Sequence, residues 1–194
     1  QLAYRQIEAM NKPCIAAIQG VALGGGMEFA LACHMRIAEP DSRFGQPEIY
    51  LRLLPGYGGT QRLPRLLAER KGEDGLRFAL EMILGGRAID AETALEMGAI
   101  DQLTNASEDV LSAAHAWVRD YEAKGAESAL GQAHAARLKS IESWSAPATL
   151  DLQAAKTDPF VTCILKQLSW AGRDKAGARA LDAIEPGWQQ GMAA

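Results

Sequence analysis

Cysteine is scarce in this 194-residue chain, occurring only as Cys14, Cys33 and Cys163. An odd count among apolar neighbours argues against a disulfide framework. It points to a reducing compartment, with the cytoplasm as the expected location. Long apolar runs are also missing. The longest, Val21–Met27, has three glycines in seven residues and is far too short to span a bilayer. No excess of one charge sign exists either: 20 Lys and Arg face 24 Asp and Glu, a net charge of -4. Nothing in that balance attracts nucleic acid or an anionic membrane. An anionic ligand needs only a local basic patch and is not excluded.

Several chemical signatures are absent as well. His34, His115 and His134 show no ligand spacing with one another or with the cysteines, so no metal site is expected. No G-x-S-x-G elbow or G-x-x-x-x-G-K-[ST] loop occurs. Gly24 and Gly26 begin a dinucleotide fingerprint, but Phe29 stands where its last glycine belongs. There is no internal repeat, no low-complexity tract and no visible signal peptide. The chain starts at Gln1 without a methionine and is expected to be a fragment.

What is present is a pair of glutamates, Glu28 and Glu48, twenty residues apart. Glu28 ends Gly24-Gly25-Gly26-Met27-Glu28. Glu48 ends Phe44-Gly45-Gln46-Pro47-Glu48 and precedes Gly56-Tyr57-Gly58-Gly59-Thr60. Glycine runs let a substrate approach the backbone, because no Cβ blocks it. Two carboxylates beside such backbone suggest a shared acid/base site. Each also has a plainer explanation. Glu28 complements the dipole of a helix that it begins, and Glu48 fits a loop. The apolar neighbours Phe44, Pro47, Ile49 and Leu51 argue for a desolvated Glu48, whose proton affinity is raised. Gly24–Gly26 fits either a tight turn or an oxyanion hole in which the Gly25 N–H donates to a carbonyl. Tyr57 fits a core position or a pocket wall equally well. Arg52, Arg62 and Arg65 could meet phosphates, though exposed helix arginines are the commoner case.

The pattern predicts an α/β first half. Residues 1–12 end a helix, and 14–18 form a buried strand between Pro13 and Gly20. A helix over 27–35 follows the glycines, then a strand over 36–38. Residues 44–54 are a loop with a short extended part. Helices are expected over 60–69 and 76–84, separated by a polar loop at 71–75. Asp90 caps a helix over 91–97 that Gly98 stops, and 99–103 form a strand. Beyond Ser107 the spacing is helical, through Val110, Leu111, Ala114, Trp117 and Val118 and again through Phe160, Ile164, Leu165 and Leu168. The four tryptophans, Trp117, Trp144, Trp170 and Trp188, are expected to build this half or a subunit contact.

Together these residues resemble the crotonase (enoyl-CoA hydratase/isomerase) superfamily. The resemblance rests on residues 12–20, 22–28, 44–48 and 54–63 and fades after 85–99. It implies a ββα spiral over 1–106, with its N-terminal part missing, followed by a helical trimerisation region over 107–194. It implies an acyl-CoA thioester substrate, with coenzyme A part of that substrate and no separate cofactor. A homotrimer or hexamer follows from it, with no nucleic-acid or membrane partner. Under this resemblance Glu28 and Glu48 match the two glutamates that hold a water. Gly25 matches one oxyanion donor, and the other falls upstream of Gln1. Gly24, Gly56 and Tyr57 line the substrate pocket. Little activity is expected of the fragment alone.

Several positions depart from the family's ordinary hydratases. His34 stands where an acidic residue is common, and Tyr57 replaces a small one. Residues 69–75 look like an insertion, and the region around 140–158 is long. These features, with residues 52–59 and 170–177, are similar to hydrolases that open 6-oxocyclohex-1-ene-1-carbonyl-CoA in anaerobic aromatic degradation by the benzoyl-CoA route. That similarity implies water addition to the ring double bond, then hydrolytic C–C cleavage. The alternatives are an enoyl-CoA hydratase and a non-catalytic acyl-CoA-binding subunit.

Overall fold

A computed structural model describes residues 2–105 and 107–143. Two ββα units stack in register. The first comprises β1 (Ile15–Ile18), β2 (Val21–Leu23) and α2 (Gly25–Ala32), preceded by α1 (Leu2–Glu8). The second comprises β3 (Met35–Ala38), β4 (Arg43–Gly45), a short 3-10 turn (Pro47–Leu51) and α3 (Gly59–Gly85). β1 pairs in parallel with β3, Ile15 opposite Met35, and β2 with β4, Leu23 opposite Gly45. Parallel pairing of this kind needs a long crossover, which each unit's own strand and helix supply. β5 (Ile89–Asp90) runs antiparallel to β4, and β6 (Gln102–Leu103) joins β3. Two three-stranded sheets result, ordered β1-β3-β6 and β2-β4-β5.

The core lies between these sheets and the helices. Met27 and Leu31 of α2, Phe44 of β4, and Leu63, Leu67 and Ile83 of α3 are all essentially inaccessible. Each such side chain contributes about 1.5–3 kcal/mol through burial. β3 is buried at all four positions, so it reads as continuously apolar apart from Arg36. The Arg36 guanidinium is fully enclosed and pairs with Asp101 at 2.8 Å. Burial draws Arg36 down to about 10, against the opposing pull of Asp101. α4 (Ala91–Met97) starts where expected: Asp90 accepts from Thr93 N–H at 2.8 Å, and Gly98 closes the helix in the left-handed region.

α5 (Val110–Lys124) returns across the first sheet and sets Val110 and Ala113 against Ile37, with Trp117 packed beside them. α6 (Ala129–Ser143) follows it. The expected helix over 160–168, Trp144, Trp170 and Trp188 lie outside the described residues.

Three expectations need correction. α2 stops at Ala32 rather than Met35, because Met35 is recruited into β3. The polar loop at 71–75 is a kink instead. α3 runs from 59 to 85, broken only at Gly72 with φ 62° and ψ -137°. The two halves close tightly there, and the Leu67 carbonyl fills the place of the missing Gly75 Cβ. β2 and β5, three and two residues long, were not anticipated. No helix among the described residues is long and apolar enough to cross a membrane.

Candidate active site

The pairing of β2 with β4 is what brings the two glutamates together. Leu23 lies opposite Gly45, and the ladder extends one step further, Gly24 N–H donating to the Gly45 carbonyl at 3.0 Å. Whatever follows each strand therefore leaves from the same sheet end. After β2 that is Gly24 to Glu28, and after β4 it is Gln46 to Glu48. Gly24 makes the turn with φ 53° and ψ -123°, a conformation L side chains avoid. Gly25 is then the first residue of α2 and is exposed. Its N–H has no acceptor within the helix and points from the positive helix end.

Glu28 lies in the first turn of α2 and is 1% exposed. Its Oε1 accepts from Tyr57 N–H and Gly59 N–H, both at 2.8 Å. Gly59 begins α3, so this carboxylate oxygen also sits at the N-terminus of a second helix. The turn at 56–59 depends on Gly58, which holds φ 108°. Gly56 and Tyr57 form the exposed part of that turn.

Glu48 belongs to the 3-10 turn and is half-buried. Its carboxylate lies against Gly24: a Cβ on Gly24 would stand 3.1 Å from Glu48 Oε1. Burial raises its pKa, its own backbone N–H partly opposes that, and the Glu28 charge adds to the rise. The two carboxylates thus share one electrostatic neighbourhood.

Two further residues complete the arrangement. The buried Gln46 carboxamide has one end 3.2 and 3.3 Å from the two Glu48 oxygens, and the orientation that satisfies both side chains puts its nitrogen at that end. Gly59 leaves room for it, since a Cβ there would meet the Gln46 carboxamide at 2.6 Å. Both residues stood in the stretches singled out from sequence, but neither was assigned a role. The available signal was a polar residue between Phe44 and Pro47, with nothing to show that it is buried.

The aromatic and arginine expectations resolve differently. Tyr57 is 57% exposed, with its ring 6.0 Å from that of Tyr4, which packs edge-on against Phe29. It is therefore not a core aromatic. Arg62 is not an exposed helix arginine. It is 7% exposed, donates to the Tyr57 carbonyl at 2.8 Å and pairs with Glu8 at 2.7 Å. It holds the turn that holds Glu28. Arg137 of α6 pairs with the other Glu8 oxygen at 2.8 Å. Arg52 is exposed, in the left-handed region at φ 58°.

His34 and His134 meet edge-on at 4.6 Å, a proximity their spacing did not reveal. Among the described residues no group of three or more His, Cys, Asp or Glu could hold a metal ion. The site thus offers two carboxylates in different surroundings beside a helix-end N–H. That set can take a proton from water, deliver one to carbon and steady an oxyanion.

The family profile described as enoyl-CoA hydratase/isomerase matches residues 1–157. The peroxisomal bifunctional enzyme of Danio rerio is 54% identical over 98 residues, 50% of this chain and 13% of the relative. The glyoxysomal fatty acid beta-oxidation multifunctional protein MFP-a of Brassica napus is 47% identical over 114 residues, 59% of this chain and 15% of the relative. The chain thus spans only 13–15% of the length of these relatives. Among solved structures, an enoyl-CoA hydratase from Bacillus anthracis superposes with a TM-score of 0.62 at 31% identity. The match covers 95% of this chain and 64% of that one.

Proposed function

Since the chain belongs to the enoyl-CoA hydratase/isomerase family, we propose that it adds water across the α,β-double bond of an enoyl-CoA thioester. The observation that carries this reading is the meeting of Glu28 and Glu48 at one sheet end, beside the Gly25 N–H. The thioester oxygen accepts from Gly25 N–H, which stabilises the enolate; one such donor is worth about 3 kcal/mol in a transition state. A water lies between the carboxylates. Glu28, fixed by two backbone N–H groups, takes a proton as the water oxygen bonds to Cβ. Glu48, whose raised pKa suits a proton donor, delivers a proton to Cα. The C=C π bond and one water O–H bond break as one C–O and one C–H bond form, and the proton left on Glu28 returns to Glu48 before the next turnover. Coenzyme A enters as part of the substrate.

The test uses the protein expressed from its whole reading frame. Crotonyl-CoA should be hydrated, and Glu28→Gln and Glu48→Gln should each suppress turnover. Unchanged activity in both variants would leave a non-catalytic acyl-CoA-binding subunit instead.

A finer reading is the opening of 6-oxocyclohex-1-ene-1-carbonyl-CoA, in which a second water attacks the ring ketone. It is favoured by the resemblance over residues 52–59, the stretch that supplies the two backbone donors to Glu28. The relatives' names speak of fatty acid beta-oxidation and favour simple hydration. The cyclic substrate separates the two: 3-hydroxypimelyl-CoA marks ring opening, and the hydrated ring alone marks a hydratase. A trimeric or hexameric assembly and a cytoplasmic location complete the proposal, checked by light scattering and by cell fractionation.

A further inference from the structure

Cys14 and Cys33 are nineteen residues apart in sequence, yet their sulfurs lie 3.7 Å apart. The backbone maintains this proximity. His34 N–H donates to the Cys14 carbonyl at 2.9 Å, and Met35 N–H reaches the same oxygen at 3.3 Å. In return, Cys14 N–H donates to His34 Nδ1 at 2.9 Å. Three bonds therefore fasten Cys14 to the two residues that follow Cys33. Cys33 itself closes α2, its N–H bonded to the Ala30 carbonyl at 3.1 Å. Cys14 is partly exposed, whereas Cys33 is 1% exposed and directs its thiol to the Phe29 carbonyl. Both are free thiols, and the chemistry proposed at Glu28 and Glu48 uses neither.

We propose that Cys14 and Cys33 form a reversible dithiol–disulfide pair, a modification site for a hydroperoxide. The sulfurs must close from 3.7 Å to about 2.0 Å, which side-chain rotation can supply when the backbones are already held together. In the first step the Cys14 thiolate attacks the peroxide oxygen, giving a sulfenic acid and, from hydrogen peroxide, water. In the second, the Cys33 sulfur attacks the Cys14 sulfur. The S–S bond forms, the S–O bond breaks, and the hydroxyl leaves as a second water with the Cys33 proton. Two thiols are oxidised by two electrons and one peroxide is reduced.

The order of events follows from the two environments. Burial pushes the Cys33 thiol up to about 12, and the neighbouring Cys14 adds to the rise. A thiol so rarely ionised is a poor first nucleophile. Cys14 meets the oxidant, and the closing step is slow enough for its sulfenic acid to be trapped. The bond links the end of α2 to the start of β1 and removes the thiol donor from the Phe29 carbonyl, one residue beyond Glu28.

The test uses the purified protein with Cys163→Ser, so that a third thiol cannot intervene, and in parallel the unaltered protein. Each is treated with hydrogen peroxide, with or without dimedone, and mapped by mass spectrometry without reduction. The expected result is a dimedone adduct on Cys14. Without dimedone, a Cys14–Cys33 peptide pair should appear that dithiothreitol separates. In Cys14→Ser, Cys33 should remain a thiol at the same peroxide dose. The proposal is overturned if Cys33 takes the adduct, if Cys14 proceeds to sulfinic acid while Cys33 stays reduced, or if Cys14 links to Cys163 in the unaltered protein. None of these readouts depends on hydratase activity, so the proposal and the proposed function fail separately.

Discussion

Gly24 and Glu48 are in contact across the β2–β4 pairing, the carboxylate of one filling the space where the other has no side chain. The alanine variant is therefore doubly penalised. Gly24→Ala would put a Cβ on a residue at φ 53° and ψ -123°, a strain of about 1–3 kcal/mol. It would also press that Cβ on Glu48 Oε1 at 3.1 Å. Denaturant unfolding should show the loss of stability, and turnover should fall beyond what the lost folded fraction explains. Gly25→Ala provides the contrast, since nothing lies within 4 Å of its Cβ position. Its stability should change far less.

Glu28 can be stripped of its proposed chemistry without being stripped of its bonds. Glu28→Gln keeps an oxygen able to accept from Tyr57 and Gly59 N–H. The fold should hold, while turnover falls about 10²–10⁴-fold, the usual worth of a positioned acid or base. Glu28→Leu leaves both N–H groups without that acceptor. A buried unsatisfied donor costs about 1–3 kcal/mol, so this variant should unfold at markedly lower denaturant. Equal stability in the two variants would show that the bonds to the 56–59 turn are unimportant.

Glu48 links stability to pH in a definite direction. Its pKa in the fold is raised above its ordinary 4.5, mainly by burial. The folded state binds its proton more tightly, so this contribution is complete below pH 4.5. It is lost as pH rises through the raised value. Glu48→Gln should flatten the stability curve over that interval. Gln46→Leu removes a donor to both carboxylate oxygens and should push Glu48 up further. The corresponding limb of the pH–rate profile should move to higher pH. An unmoved limb would show that Gln46 does not tune Glu48.

His34 works in the opposite sense. Burial, then the neighbouring His134, lower its pKa from 6.5, with Arg137 and Arg36 adding to the effect and the Glu8 carbonyl opposing it. Its Nδ1 accepts from Cys14 N–H and its Nε2 donates to the Glu8 carbonyl, so the neutral ring is the one the fold uses. The unfolded chain binds this proton more readily. Stability from His34 is present above pH 6.5 and is lost as pH falls through the lowered value. NMR titration of the ring should report that lowered value. His34→Gln should reduce the decline in stability below pH 6.5.

The parts of this fold written in local chemistry were legible in the sequence. Gly24 to Gly26 announced the start of α2, and Asp90 and Gly98 bounded α4. β1 stood out because Pro13 and Gly20 bracket an apolar run. Parts decided by distant partners were not legible. β2 and β5 are too short to show a period and exist because β4 lies between them. Met35 looked helical until β1 claimed it. The polar stretch around Gly72 has the composition of a loop, but the helix resumes on its far side. At the candidate site, both glutamates stood out in the sequence, since the glycines beside them mark a close approach. Gln46 was missed because its importance lies in the direction its amide faces. The Cys14–Cys33 contact was hidden for the same reason: one crossover of the spiral separates them in sequence and closes them in space.

The Glu28 carboxylate is at once the proposed reactive group and the acceptor that folds the 56–59 turn onto α2. Chemistry and architecture at this position are therefore inherited together. Drift that merely silenced the proposed activity would have few routes open at residue 28. Most replacements would cost the turn as well as the reaction. A descendant that keeps this fold but has given up catalysis should still carry an oxygen there, as glutamine or as an unused glutamate. Position 48, whose bonds hold no buried backbone in place, is where a lost activity would first become visible.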